Sequence, residues 1–298
     1  MKPEFECFRC IVTTRLREIE NSSISKEEKL LLAKNIIQLL SSEFSYSAEL
    51  TDVASKLFNL LVEKAPDIVT YYSRIKTLCN RLALENISIH VKHTENLSSR
   101  ARFEYLVKLS ALGNLIDYGV ADHSALSPPT ILPSIVEKQE YCVNQVDAFY
   151  ELVKSGGKTV LWLFDNCGEA VYDLLLIREI RKMENTVWGL VKNDPGFQND
   201  ISESDARMLG LDRELDALIT YGCQCSTIHL DKIGSEAKHA LASADLVVAK
   251  GMSHFEYLSE VGLDKPVVFI LVPKCRPVAK RVLNEHCVGK IAVLVKHT

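Results

Sequence analysis

Several polar side chains follow an apolar run in the stretch VLWLFDNCGEAVYD (160–173). A carboxylate, an amide, a thiol, a glycine and a second carboxylate come in succession, and a helical pattern begins there. Asp165 and Asn166 offer hard oxygen donors, which suit Mg²⁺ or Mn²⁺ and do not suit structural zinc. The same two residues also suit a helix N-cap, so this stretch alone leaves both roles open.

Two further polar groups follow other predicted strands. The loop KNDPGFQNDISESDA carries Asn199 and Asp200, and Lys250 and Gly251 come directly after a later strand. Ligands of open α/β sheets bind outside the carboxyl ends of the strands, so we expect these groups to lie close to Asp165. A metal, a lysine and helix N-termini would together form a phosphate site. A capped turn and a solvated lysine are the alternative interpretations.

The cysteines are interpreted mainly as small buried hydrophobic residues. The sequence has nine of them, an odd number, and its start, MKPEFECFRC, lacks the apolar core of a signal peptide. We therefore expect reduced thiols and a cytoplasmic protein. Cys167 lies at a predicted helix start, where the pKa of a thiol can fall, but no Cys–His–acid pattern accompanies it.

Two cysteine pairs are close in sequence, Cys7/Cys10 and Cys223/Cys225. Zinc needs about four ligands, and no second CxxC or close histidine pair completes a site with Cys7 and Cys10. His90 and His93 are weak candidates as metal ligands, and we interpret both as packing residues.

A sheet must position the candidate residues. The pattern of apolar and amphipathic segments predicts such a sheet after residue 157. Earlier segments are amphipathic, such as the stretch after Ser25, which has Glu28 at the capping-box position. A proline-containing segment, SALSPPTILPS, interrupts the pattern, and a further helix is predicted at about 134–155. Short apolar runs then alternate with helical stretches, which is typical of βαβ units. The predicted strands are 159–164, 186–191, 215–220, 244–249, 266–271 and 290–295.

The predicted fold class is α/β, with a doubly wound, mostly parallel, Rossmann-like sheet and an N-terminal all-helical domain. The helical domain is assigned to residues 1–130, and the α/β domain with the metal site to 131–298. A net charge of -4 with dispersed lysines and arginines argues against nucleic acid as a partner. No apolar run approaches the roughly 20 residues that span a bilayer, so no membrane partner is expected. The oligomeric state is left open.

Taken in order, these motifs resemble the metal-dependent damage-control phosphatase family, whose fold group also holds proteins described as acidic-residue methyltransferases. FDNCGEAVYDLLLI resembles the family's DNAGE motif, and PGFQNDISESDARMLGL resembles its Asn-Asp motif. ADLVVAKGMSHFEYLSE is similar to its lysine–glycine motif, and VFILVPKCRPVAKRV to its final Lys-Cys segment. ECFRC and GNLIDYGV resemble segments nearer the N-terminus, so the resemblance spans nearly the whole chain. The compact length resembles the stand-alone archaeal and bacterial branch.

The resemblance implies a divalent metal ion (Mg, Mn, Co or Ni) held by Asp165, Asn166 and Asp200. It implies that Lys250 contacts the substrate phosphate, with Gly251 beside it. The other substrate-site residues that it implies are Gly168, Glu169, Asn199, His254, Asn114 and Asp117, of which the last two would close the cleft from the helical part.

The sequence departs from the family pattern at three places. Cys167 replaces the usual alanine, and His254 stands where asparagine is common. The segment YGCQCSTIHL differs from a usual glycine-rich segment, and we expect it to influence which substrate is bound.

The predicted activity is metal-dependent hydrolysis of small phosphometabolites, either sugar phosphates or phosphorylated cofactor fragments, as damage control. Asp165 is either a metal ligand only or also a nucleophile that forms an aspartyl-phosphate, and the sequence leaves both open. One alternative is an S-adenosylmethionine-dependent carboxyl methyltransferase, although no GxGxxG follows the first strand. The other is a non-catalytic phosphometabolite-binding protein.

Overall fold

A computed structural model describes residues 1–114 and 131–297. Its strands form one sheet, and helices cover the sheet and form a separate layer at the N-terminal end of the chain. No helix in the described ranges combines the length and the apolarity that crossing a bilayer requires.

The helices are α1 (Phe5–Asn21), α2 (Lys26–Glu43), α3 (Leu50–Lys64), α4 (Ile68–Thr94), α5 (Ser99–Gly113), α6 (Pro133–Lys138), α7 (Val146–Val153), α8 (Glu169–Lys182), α9 (Glu203–Met208), α10 (Leu211–Glu214), α11 (Ser235–Ser243), α12 (Gly251–Val261) and α13 (Arg276–Val282). The strands are β1 (Tyr141–Asn144), β2 (Thr159–Leu163), β3 (Thr186–Val191), β4 (Ala217–Thr220), β5 (Leu246–Lys250), β6 (Val267–Leu271) and β7 (Ile291–Lys296).

The strand order of the sheet confirms the predicted fold class. The order is β1-β7-β6-β5-β2-β3-β4, and every neighbouring pair is parallel except β6 and β7. Strands β2 and β5 are adjacent, with Leu163 opposite Ala249, and the chain moves outward from them in both directions. This position is the switch point of the sheet, where open α/β folds bind their ligands.

The sheet is buried on both faces because the side chains of its central strands alternate between two cores. Val160 and Trp162 of β2 pack in a core that includes α5 and α8. Leu161 and Leu163 point the other way and pack in a core that includes α11, α12 and α13. Such two-sided burial explains why the central strands are continuous runs of Val, Leu and Ile.

The prediction of one helix over 134–155 was wrong in its centre. Residues Tyr141–Asn144 form β1, which pairs with β7 in parallel at the edge of the sheet. Tyr141 and Val143 favour strands, and the Asn144 side chain accepts a hydrogen bond from the backbone N–H of Val146 (3.1 Å), at the start of α7. The sequence pattern did not predict this strand, because it has only four residues and helical segments lie on both sides of it.

The N-terminal helices divide between two cores. Ser25 and Glu28 form the predicted capping box at the start of α2. Residues of α1 to α4 form one core together with Phe197, whereas Cys79 and Ala83 of α4 pack in the sheet core with α5 and α8. The division of the chain at residue 130 therefore stays a prediction.

Candidate functional site

The predicted metal ligands meet where β2 ends. Asp165 and Asn166 follow this strand and are buried, with 7% and 2% of their surfaces exposed. Asp200 pairs with Asn166 in an isolated antiparallel bridge, and the backbone N–H of Ile201 donates to the carbonyl of Asp165 (2.9 Å). Two segments that are distant in sequence thus place two carboxylates and an amide at the switch point of the sheet.

Side-chain amides hold these groups in fixed orientations. Asn166 Nδ2 donates to Asp165 Oδ2 (2.8 Å) and to Glu169 Oε2 (3.1 Å). Asn114, at the end of α5, donates to the same two oxygens (2.8 and 3.0 Å). Asn199 Nδ2 donates to Asn166 Oδ1 (2.8 Å), and that oxygen keeps a second lone pair. The predicted residues Asn114, Glu169 and Asn199 therefore belong to this cluster, whereas Asp117 lies outside the described residues.

Two glycines allow close backbone approach at the site. Gly251 has φ +75°, and a Cβ built on it would lie 1.8 Å from Asp165 Oδ2, so the start of α12 lies directly against this carboxylate. Gly168 has φ +80°, and its Cβ would lie 3.0 Å from the Cβ of Cys79. The N–H of Gly168 donates to Asn80 Oδ1 of α4 (2.6 Å), so it is engaged by the helical layer.

The ammonium group of Lys250 is fully engaged inside the protein. The side chain has no exposed surface, and Nζ donates to Glu169 Oε1 (2.5 Å), Asp173 Oδ1 (2.7 Å) and the carbonyl of Ser110 (3.1 Å). Burial lowers the pKa of Lys250, but Asp173 and Glu169 outweigh it, so the pKa is raised. Burial raises the pKa of Asp173 to about 6, although Lys250 opposes this. The predicted contact of Lys250 with a phosphate would have to replace one of these three bonds.

Lys192 is a site residue that the sequence analysis did not identify. It follows β3 directly, is buried, and donates a hydrogen bond to the carbonyl of Ser226 (2.7 Å). Its Nζ lies 3.4 Å from Asp200 Oδ2 and 4.2 Å from the centre of the Tyr221 ring. Burial lowers its pKa, while the charges of Asp200 and Asp165 act in the opposite direction. The rule that selected Lys250, a lysine at the carboxyl end of a strand, would have selected Lys192 as well.

His254 is held as a neutral imidazole. Its Nδ1 lies 2.6 Å from the carbonyl oxygen of Lys250 and must donate a hydrogen there. Nε2 is therefore the acceptor, and the hydroxyl of Tyr221 donates to it. Burial, followed by the charge of Lys192, lowers the pKa of His254 to about 3. His254 thus orients Tyr221 beside the site, and its predicted contact with substrate stays a prediction.

The expectation of reduced thiols was wrong for one pair. Cys223 and Cys225 form a disulfide within the loop after β4, where a tight turn places their Cα atoms 5.5 Å apart. Cys7, Cys142, Cys167, Cys275 and Cys287 form no disulfide. Cys167 is buried, and burial raises the pKa of its thiol, so this thiol is neutral and unsuited to nucleophilic attack.

The other metal candidates of the sequence form no metal site among the described residues. His90 bonds to the hydroxyl of Tyr105 (2.6 Å) and to the carbonyl of Ile131 (2.9 Å), as expected of a packing residue. Cys7 and Cys10 line a cavity of about 180 Å³ together with Cys275. Within residues 1–114 and 131–297, no three His, Cys, Asp or Glu side chains are grouped so as to hold a metal ion.

The oxygen atoms at the end of β2 fit a divalent cation better than zinc. The set combines two acids, Asp165 and Asp200, with the amide of Asn166, which is the oxygen chemistry that Mg²⁺ and Mn²⁺ use. Next to Asp165, the side-chain amide oxygen of Asn114 (Oδ1) is buried and has no hydrogen-bond partner in the described part of the chain. An unsatisfied buried acceptor beside two carboxylates is a suitable environment for a positive ion or its bound water.

Comparisons with known proteins identify the family of this chain. The sequence model of the damage-control phosphatase ARMT1-like domain matches residues 5–286. A damage-control phosphatase of Archaeoglobus fulgidus is 34% identical over 211 residues, which cover 70% of each chain. Another, from Pyrococcus horikoshii, is 28% identical over 286 residues and 94% of both chains.

A solved structure extends the match to the whole fold. The crystal structure of a DUF89 family protein from Pyrococcus horikoshii superposes with a TM-score of 0.83 and 27% identity. The superposition covers 100% of this chain and 99% of that one. The protein therefore belongs to the damage-control phosphatase ARMT1-like family.

Proposed function

We propose that this protein is a divalent-metal-dependent phosphatase that hydrolyses small phosphorylated metabolites. The observation that carries the proposal is the meeting of Asp165, Asn166 and Asp200 at the switch point, with Lys192 beside them. Membership of a damage-control phosphatase family supports the reaction class. Sugar phosphates and phosphorylated cofactor fragments are the proposed substrates.

Some residues of the site would hold the metal ion, and others orient these ligands or supply charge. Asp165, Asn166 and Asp200 would hold the ion, which when bound supplies positive charge to the phosphoryl oxygens and lowers the pKa of a bound water. Lys192 would add a second positive charge next to the transferred phosphoryl group. Glu169, fixed by Lys250, orients the amide of Asn166.

Asp165 has two proposed roles that its contacts do not separate. Its Oδ2 accepts hydrogen bonds from Asn114 and Asn166. An ionised carboxylate serves equally as a metal ligand and as a nucleophile. Rapid acid quench during turnover distinguishes them: a trapped aspartyl-phosphate supports attack by Asp165, and its absence supports attack by water.

The residue that follows β3 argues against the methyltransferase alternative. Rossmann-type sites for nucleoside cofactors place an acidic residue there to bind the ribose, but the residue after β3 is Lys192. Calorimetry with S-adenosylmethionine tests this directly, and micromolar binding would restore the alternative.

The experiment that tests the proposed function is a substrate screen. Metal-stripped protein receives Mg²⁺, Mn²⁺, Co²⁺ or Ni²⁺ and is assayed for phosphate release from a panel of phosphorylated metabolites. Release that depends on metal and disappears in Asp165→Ala supports the proposal and ranks the substrates. Binding of phosphorylated ligands without release, in folded protein with any metal, would favour the non-catalytic binding protein.

A further inference from the structure

The loop that carries Asn199 and Asp200 is fastened to the N-terminal helices at three successive points. It runs from residue 193 to residue 202, between β3 and α9. The fastening residues lie on α1, α3 and α4.

The first attachment is a buried lysine of α4. Lys76 Nζ donates to the carbonyl of Pro195 (2.9 Å) and to Asp205 Oδ2 (2.8 Å), and only 3% of the residue is exposed. A Cβ on Gly196 (φ +91°) would lie 2.6 Å from Nζ, so the loop passes directly over the ammonium group. Lys76 thus joins the start of the loop to the helix that follows the loop.

The second attachment holds Gln198, two residues before Asp200. Gln198 has φ +51°, which costs an L-residue other than glycine about 1–2 kcal/mol. Its Nε2 donates to Glu18 Oε1 (2.8 Å) and lies 3.2 Å from the hydroxyl of Tyr72. The Tyr72 hydroxyl itself donates to the same oxygen of Glu18. These bonds stabilise a backbone conformation that the residue would otherwise avoid.

The third attachment is aromatic. The ring of Phe197 lies 4.7 Å from that of Phe58 on α3 and 5.9 Å from the guanidinium of Arg15 on α1. Arg15 Nε in turn pairs with Glu18 Oε2 (3.0 Å). The charges of Arg15 and Glu18 are thereby paired in the interior beneath the loop.

We propose that Lys76 and the Glu18–Tyr72 pair are positioning residues for Asp200, so that the N-terminal helical layer completes the candidate metal site. This inference rests on the proposed function, because it assigns these residues to the metal site proposed there. A loop that is already ordered loses less conformational freedom when a ligand binds. Partners that hold metal ligands in place typically change metal affinity by about 10–100-fold when removed.

The test compares two lysine-to-methionine variants. Lys76→Met removes both bonds to the loop region but keeps the length and the apolar stem of the side chain. Lys265→Met is the matched control, because Lys265 Nζ also donates to backbone carbonyls (Leu241, Ala242 and Ala244), at the far end of α11. Mn²⁺ affinity is measured by electron paramagnetic resonance, and amide hydrogen exchange is measured over residues 194–202 in metal-free protein.

We expect Lys76→Met to bind Mn²⁺ at least about tenfold more weakly and to exchange its loop amides faster, with neither change in Lys265→Met. Tyr72→Phe is the milder second variant and decides the test if Lys76→Met does not fold; we expect it to change both quantities in the same direction. Wild-type Mn²⁺ affinity and wild-type exchange in the folded variants would overturn the inference. Absence of binding by Mg²⁺, Mn²⁺, Co²⁺ and Ni²⁺ alike in the wild type would instead overturn the proposed function, while the exchange measurement would still report on the attachment of the loop.

Discussion

At the scale of single residues, Gly251 leaves no room for a side chain next to Asp165. Its Cα lies against the carboxylate of Asp165, and its backbone is in the left-handed region. Lys192 and His254 are held by hydrogen bonds instead. The ammonium group of Lys192 donates to a backbone carbonyl, and the ring of His254 bonds to the carbonyl of Lys250 and to the hydroxyl of Tyr221. Shape at Gly251 and hydrogen bonding at His254 can be tested separately.

Gly251→Ala is expected to reduce Mn²⁺ affinity and phosphate release by about 100-fold or more, because the new Cβ would displace Asp165. Gly262→Ala, at the other end of α12, is the control. Gly262 has a similar φ of +66° but no atom within 4 Å of its built Cβ, so the variant should lose about 1–3 kcal/mol of stability through backbone strain and keep its activity. Equal losses of activity in the two variants would show that backbone strain, and not contact with Asp165, is responsible.

Tyr221→Phe is expected to lower the free energy of unfolding by about 1–3 kcal/mol, because Nε2 of the buried His254 loses its donor. Urea denaturation measures the change. Tyr46→Phe serves as control, since Tyr46 is largely exposed and should change stability by less than about 0.5 kcal/mol. An unchanged midpoint for Tyr221→Phe would contradict a stabilising hydrogen bond between Tyr221 and His254.

At the scale of elements, α12 connects the site to the cavity beside it. Gly251 and His254 face the site, whereas Met252, Ser253 and Glu256 line the cavity with Cys7, Cys10 and Cys275. Burial raises the pKa of Glu256 from its ordinary value of 4.5 to about 7. The stability of the fold should therefore depend on pH through this helix.

Because the folded state favours the protonated form of Glu256, its contribution to stability is complete below pH 4.5 and is lost as the pH rises through about 7. Glu256→Gln removes this dependence. The variant should gain stability relative to the wild type between pH 5 and pH 8, by at most about 3 kcal/mol. Thermal unfolding across this pH range measures the gain, and Glu236→Gln on the exposed side of α11 should show none. Parallel pH curves for Glu256→Gln and the wild type would contradict the assignment.

Most elements of the sheet could be predicted from the sequence, because its central strands are short buried runs of Val, Leu and Ile between helical stretches. Strand β1 could not, since it has four residues between two helices and depends on pairing with β7, which is far along the chain. The proximity of Asp165, Asn166 and Asp200 could be predicted from their places after neighbouring strands. The hydrogen bonds of Lys250 to Asp173 and Ser110 could not be predicted, because they depend on how α5 packs on α8.

At the scale of the whole molecule, the site is assembled from both the sheet and the helical layer. Asn114 of α5 contacts Asp165 directly, and Asn80 of α4 accepts the N–H of Gly168. Lys76 holds the loop that leads to Asp200. The N-terminal helices therefore do more than cover the sheet, since three of their side chains bond to Asp165 or to the segments that carry the proposed metal ligands. Such long-range contacts leave no local signal in the sequence.

The measurement that tests the central claim most directly is phosphate release as a function of added metal, in metal-stripped wild type and in Asp200→Asn. The substitution keeps the shape of the side chain but removes the charge of one proposed ligand. The account predicts release by the wild type that rises to saturation with Mg²⁺ or Mn²⁺. For the variant, it predicts a half-saturating metal concentration at least about tenfold higher, or no release at all. Equal release with and without metal, or identical metal dependence in the two proteins, would contradict it.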